Sequence, residues 1–272
     1  MQFIRRDGVT LHYQAISAAG KPGIVFINSL GTDFRIWRDV VVRLAGDYSV
    51  LLYDKRGHGL SDLGPTPYTI DDHAADLAAV MDAAGFGRSI ICGLSVGGLI
   101  AQQFYLDRPD LVAGLVFCGT AHRIGTADSW NDRIAQVEAD GLGAIVDAVM
   151  ARWFTDRFRA PDNAEFSGYR NMFLRTPVAG YTATCAAIRD ADFTADAPRI
   201  AAPSLCIVGE ADSAAPPDLV ASFARLIPGA RYELMRNAGH LPCVEQPEVL
   251  TAMIRAFSDF AASEDVSDRQ RH

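Results

Sequence analysis

The chain has 272 residues, 49% of them hydrophobic, enough to bury one large core or one core with an inserted subdomain. Its formal net charge of −8, with no Lys/Arg run, excludes sequence-independent nucleic-acid binding, which needs a basic face. No apolar run reaches membrane-spanning length, and the N-terminal stretch MQFIRRDGVTLHYQ lacks the apolar region of a secretory signal, so no membrane partner is expected.

In chain order, GIVFINS (23–29), YSVLLYD (48–54), RSIICGLS (88–95) and LVAGLVFCG (111–119) have the length and aliphatic content of buried parallel strands. Between the second and third, Ile70–Ala84 carries Leu77, Val80 and Met81 at helical spacing. Asp71 and Asp72 stand in its first turn, where the helix dipole favours acids. The alternation predicts an α/β fold, a mostly parallel central sheet flanked by helices. From 122 to 197 the strand runs stop and SWNDRIAQVEADGLGAIVDAVMARWF reads as helix, which predicts an inserted helical cap. Alternation resumes with PSLCIVGE (203–210), a helix over 218–226, RYELMRNAGH (231–240) and a last helix over 247–260. The predicted organisation is a core of 1–121 and 198–263, a cap of 122–197 and a loose tail of 264–272. Cys92, Cys118, Cys185, Cys206 and Cys243 form no CxxC pair and no Cys/His cluster. Free thiols in a reducing cytoplasm are expected, with no metal.

One stretch carries chemistry. In CGLSVGGL, Gly93, Ser95 and Gly97 form G-x-S-x-G between a predicted strand and a predicted helix, the context of a nucleophile elbow. A serine there stands on a sharp turn at a helix N-terminus, and glycines two residues away let the helix approach the strand. A glycine-rich βα turn with an incidental serine reads the same in isolation. The catalytic reading requires an acid and then a histidine on loops after later strands. Asp212 follows SLCIVGE and His240 follows RYELMRN, in that order. Glu210 is the alternative acid. His12, His73 and His272 lie in a strand-like segment, on a helix and at the terminus, and His58 and His122 precede the required place in the chain.

The chain resembles α/β-hydrolase-fold proteins over nearly its whole length. Besides the elbow, Asp54-Lys55-Arg56-Gly57-His58-Gly59-Leu60-Ser61 is similar to the D-x-R-G-x-G-x-S turn of that superfamily, which we read as structural. A closer resemblance is to the 3-oxoadipate enol-lactonases, carried by Asn28-Ser29-Leu30-Gly31-Thr32-Asp33, GLSVGGL, Trp130-Asn131-Asp132-Arg133 and Arg152-Trp153-Phe154-Thr155. Many relatives have His-Gly where this chain has Asn28-Ser29, a departure that favours the lactonase branch over generic esterases.

The resemblance implies hydrolysis of 3-oxoadipate enol-lactone to 3-oxoadipate, a step in the β-ketoadipate route of aromatic degradation, with no cofactor. Ser95 attacks, His240 serves as base, Asp212 orients it, and the backbone N–H groups of Leu30 and Val96 hold the oxyanion. The substrate's carboxylate calls for a local cation in an acidic protein. Trp130 and Arg133, three apart on one helical face, are placed to wall the pocket and pair with it. Arg123 and Trp153 are weaker candidates, and Ser29 offers a hydroxyl near the oxyanion or a bond to its own loop. Competing readings are a carboxylesterase or perhydrolase on the same triad, a carbon–carbon bond hydrolase, and a hydrolase-fold ligand receptor. A haloalkane dehalogenase would need an aspartate at position 95.

Overall fold

A computed structural model describes the backbone of residues 1–269 and side chains through residue 264. An eight-stranded sheet runs through it in the order β1-β2-β4-β3-β5-β6-β7-β8. Its strands are β1 (Gln2–Arg6), β2 (Val9–Ile16), β3 (Gly23–Ile27), β4 (Ser49–Tyr53), β5 (Ser89–Leu94), β6 (Val112–Cys118), β7 (Ser204–Gly209) and β8 (Arg231–Met235). From β4 to β8 all pairings are parallel, with Ile24 opposite both Val50 and Ile90 and Ile91 opposite Leu115. The β1–β2 hairpin, which joins β4 antiparallel, was not predicted as a pair. Its strands mix polar with apolar residues and lie partly exposed, so they lack the continuous aliphatic run that marks a strand covered on both faces.

Helices cover both faces. They are α1 (Arg38–Leu44), α2 (Ile70–Ala84), α3 (Val96–Asp107), α4 (Ala127–Asp140), α5 (Val146–Trp153), α6 (Ala164–Leu174), α7 (Val178–Asp190), α8 (Pro217–Leu226), α9 (Pro242–Glu245) and α10 (Pro247–Arg269). The acids at the start of α2 do more than meet a dipole, because Asp72 and Thr69 close a reciprocal capping box. Aromatic contacts seat the helices on the sheet, with Phe26 and Trp37 ring centres 4.7 Å apart and Phe117 and Phe223 5.0 Å apart. Between β6 and β7 the chain forms α4 to α7, and the Phe193 N–H donates to the His122 carbonyl at 2.8 Å, tying together the two ends of that segment. The last helix extends past the predicted 260 to Arg269, so the backbone of 264–269 is helical. Residues 270–272, including His272, lie outside the described residues. Among the described residues no helix is long and apolar enough to cross a membrane.

Parallel strands deliver their following loops to one edge of the sheet, the edge where open α/β sheets bind ligands. Asn28–Leu30 follow β3, Lys55 follows β4, Ser95 follows β5, Gly119 follows β6, Asp212 follows β7 and His240 follows β8.

Candidate active site

Ser95 sits between β5 and α3 with φ 58° and ψ −119°, a left-handed backbone that a residue bearing a side chain adopts at a cost. Three bonds hold it there. Its N–H donates to the Cys118 carbonyl at 2.9 Å, and its carbonyl accepts from Gly98 N–H at 2.8 Å and from the Thr120 hydroxyl at 2.7 Å. The flanking glycines are required by contact, since a Cβ on Gly97 would lie 2.4 Å from the Ile27 carbonyl oxygen. The turn thus closes only without side chains at its shoulders.

His240 and Asp212 meet directly. His240 Nδ1 lies 2.8 Å from Asp212 Oδ2, and both side chains are buried. Asp212 Oδ1 accepts from the N–H groups of Ala214 and Ala215 at 2.8 and 2.9 Å, so the carboxylate is held on both oxygens. A buried carboxylate fixed by this many donors orients the imidazole ring. Glu210 does not approach His240; its carboxylate accepts from the Asn237 N–H at 3.4 Å. Gly119 was missed in the sequence, yet a Cβ there would stand 2.8 Å from Asp212 Oδ2 and 3.0 Å from His240 Nδ1. Ser95 and His240 border one cavity of about 180 Å³. No hydrogen bond joins the two side chains among the described residues, and in free hydrolases this contact commonly tightens only with substrate bound.

The loop after β3 forms the next wall, where Ser29 and Leu30 border the cavity. Among the described residues the Leu30 N–H has no acceptor, whereas the Gly31 N–H donates to His58 Nε2 at 3.0 Å. Because that nitrogen accepts, His58 is the neutral tautomer with its proton on Nδ1, which donates to the Arg56 carbonyl at 3.2 Å. Burial and the nearby Lys55 charge push the His58 pKa well down, in keeping with that tautomer. Val96 contributes the first N–H of α3, one of the donors a helix leaves without an internal partner.

The opposite wall comes from the segment between β6 and β7. Trp130, Arg133, Arg152 and Trp153 all border the cavity. Trp130 is held by a bond from its Nε1 to the Ile124 carbonyl at 2.6 Å, and Arg133 lies over its ring at 5.0 Å from the centroid. Neither Arg133 nor Arg152 has a carboxylate within ion-pair distance among the described residues. Burial raises the pKa of the adjacent Tyr181 phenol, and the charges of Arg133 and Arg152 partly counter the rise. Arg123, by contrast, pairs with Asp192 at 3.6 Å and does not border the cavity. In the sequence Arg152 stands out only as part of Arg152-Trp153-Phe154-Thr155, and its place beside Trp153 is the signal available for it.

The two walls are joined at the histidine loop. The Trp153 carbonyl accepts from the N–H groups of His240 and Leu241 at 2.9 and 3.3 Å. Glu245, also missed, accepts from Gly239 N–H at 2.6 Å and Thr155 N–H at 3.1 Å, and burial pushes its carboxyl pKa up.

Comparison with known proteins bears on the fold and the family. The family model for the alpha/beta hydrolase fold matches residues 22–247. The chain is 33% identical to 3-oxoadipate enol-lactonase 1 of Acinetobacter baylyi, covering 95% of each chain, and 30% identical to 3-oxoadipate enol-lactonase 2 of the same organism, covering 91% of this chain and 92% of that one. Among solved structures it is similar to the enol-lactonase from Burkholderia xenovorans LB400, with a TM-score of 0.91 and 35% identity over 95% of this chain and 100% of that one.

Proposed function

The chain belongs to the α/β-hydrolase family of ester-hydrolysing enzymes, and from that premise we propose that it opens a small anionic enol-lactone, 3-oxoadipate enol-lactone, to 3-oxoadipate. The observation that carries this reading is one cavity with Ser95 and His240 on one wall and, on the other, two arginines without carboxylate partners among the described residues. An unpaired cation beside a reactive serine suits a substrate that brings its own negative charge.

In this reading Ser95 Oγ loses its proton to His240 and attacks the lactone carbonyl. Asp212 holds the imidazole in the tautomer that accepts this proton and stabilises the imidazolium that forms. Leu30 and Val96 N–H groups receive the oxyanion, and each such donor is worth about 2.7–4 kcal/mol in other hydrolases. His240 then protonates the enol oxygen as the ring opens. An enolate leaves more readily than an alkoxide, and tautomerisation of the enol to a ketone draws the step forward. Water, activated by His240, releases the product acid from Ser95. Arg133 and Arg152 bind the spectator carboxylate, Trp130 and Trp153 wall the ring, and residues 122–197 act as the cap that sets specificity.

The test is kcat/KM for 3-oxoadipate enol-lactone beside a neutral aryl acetate, with Ser95→Ala as the blank. A strong preference for the lactone supports the reading. Equal or better turnover of the neutral ester moves the protein to a carboxylesterase, and no Ser95-dependent turnover of either substrate moves it to a ligand receptor.

A further inference from the structure

Lys55, in the turn 54–61 after β4, is fully buried. Its Nζ donates to the carbonyl oxygens of Asn28 and Ser29, both at 2.9 Å. No carboxylate stands within ion-pair distance of Nζ among the described residues. The nearest acids are engaged elsewhere. Asp54 accepts from His12 Nδ1 and from the N–H groups of Phe34 and Leu60, and Asp33 from Arg35. An ammonium held in the core by two carbonyls alone is costly, and a leucine or methionine would fill the space without that cost.

The covalent geometry of the loop supplies a reason. The Ser29 carbonyl and the Leu30 N–H are the two ends of one planar trans peptide and point in opposite directions. The Thr32 hydroxyl donates to the same Ser29 oxygen at 2.9 Å; beside it, the charged Lys55 donor helps hold the direction of the N–H and polarises the whole peptide, which makes that N–H a stronger donor. The next amide, Gly31, is committed to His58, so the same turn sorts the loop's N–H groups and leaves Leu30 facing the cavity that holds Ser95. We propose that Lys55 is a positioning residue for the oxyanion site, aiming and strengthening the Leu30 N–H through the Ser29–Leu30 peptide. The proposal rests on the hydrolase reading above, in which Leu30 receives the oxyanion.

A charge in this position makes activity depend on pH in a particular sense. The titratable groups around Lys55 are Asp33 and Asp54, which favour its charged form, and the imidazoles of His58 and His73, both kept neutral by burial. Burial outweighs the two acids and brings Lys55 down to about 7. The ammonium is therefore lost as pH rises through neutrality, which gives kcat a descending limb on the alkaline side.

The experiment compares wild type, Lys55→Met, Lys55→Gln and Ser95→Ala in pre-steady-state acylation by p-nitrophenyl acetate and in kcat against pH. Losing a whole oxyanion donor costs about 10²–10³-fold, so a misaimed one in Lys55→Met is expected to slow acylation about tenfold or more, with KM changed less than about twofold. Lys55→Gln, a neutral donor, is expected to fall between, and the alkaline limb is expected to vanish in both. A folded Lys55→Met with wild-type acylation and an unchanged limb, beside an inactive Ser95→Ala, overturns the proposal and leaves the hydrolase standing. Wild-type acylation in Ser95→Ala overturns the hydrolase reading and the proposal with it. Should Lys55→Met fail to fold, amide NMR of the wild type decides: the Leu30 N–H shift is expected to move with the Lys55 titration between about pH 6 and pH 9, and an invariant shift overturns the proposal.

Discussion

The two walls of the cavity handle charge in opposite ways. At the sheet edge each buried charge is already engaged: Asp212 with His240 and two backbone N–H groups, Lys55 with two carbonyls, and Arg56 in a bidentate pair with Asp76 at 2.6 and 2.7 Å. On the helical wall Arg133 and Arg152 have no carboxylate partner among the described residues, and they are half-buried and exposed respectively. The difference fits the roles proposed for the two walls. Groups that stabilise a transition state must be oriented before it forms, which low-dielectric burial and saturated hydrogen bonding accomplish. Groups that select a substrate gain most when the ligand supplies the missing partner, and they avoid a desolvation penalty meanwhile by remaining partly hydrated.

Substitutions on the two walls should therefore fail differently. The largest effect is expected from Ser95→Ala, a fall of about 10⁶-fold in kcat on lactone and aryl acetate alike, measured by steady-state turnover. Asp212→Asn should follow at about 10⁴-fold, because an amide stabilises the wrong imidazole tautomer, while Glu210→Gln stays within about twofold. A reversed order of those two acids would break the account of the sheet wall.

Arg133→Ala and Arg152→Ala sharpen the contrast. Each is expected to raise KM for the anionic lactone by about 10- to 100-fold, the value of a charge-assisted bond, and to leave the neutral acetate within about twofold. Equal losses on both substrates would instead make the arginines part of the helical packing. The smallest effect at neutral pH concerns His73, fully buried, with both ring nitrogens lacking a hydrogen-bond partner among the described residues. Burial lowers its pKa from 6.5 to about 3, so between those values the unfolded chain binds a proton that the folded chain does not. Stability from this group is therefore lost as pH falls below 6.5, by at most ~1.4 kcal/mol per pH unit. Urea midpoints of His73→Phe should show a shallower decline with acid than wild type.

The parallel strands, α2 and the strand-to-helix turn at Ser95 were legible in the sequence because their signals are local. Aliphatic runs, helical periodicity and obligatory glycines act within a few residues. Asp212 and His240 were legible as candidates through strand order alone, since parallel strands send successive loops to the same edge. The hairpin β1–β2 was not, because half-exposed strands carry weaker patterning. Nor were Lys55, His58, Gly119 and Glu245 assigned a role of their own: each takes its meaning from a partner distant in the chain, as Lys55 does from the loop at Asn28 and Ser29 and Glu245 from Thr155. By itself, then, the sequence determined the α/β framework and which loops share an edge, because backbone pattern and chain order carry that information. Which buried charge meets which peptide, and which arginines stand without a carboxylate among the described residues, only the tertiary structure decided, because those pairings depend on distances of a few ångströms between segments that no local pattern relates.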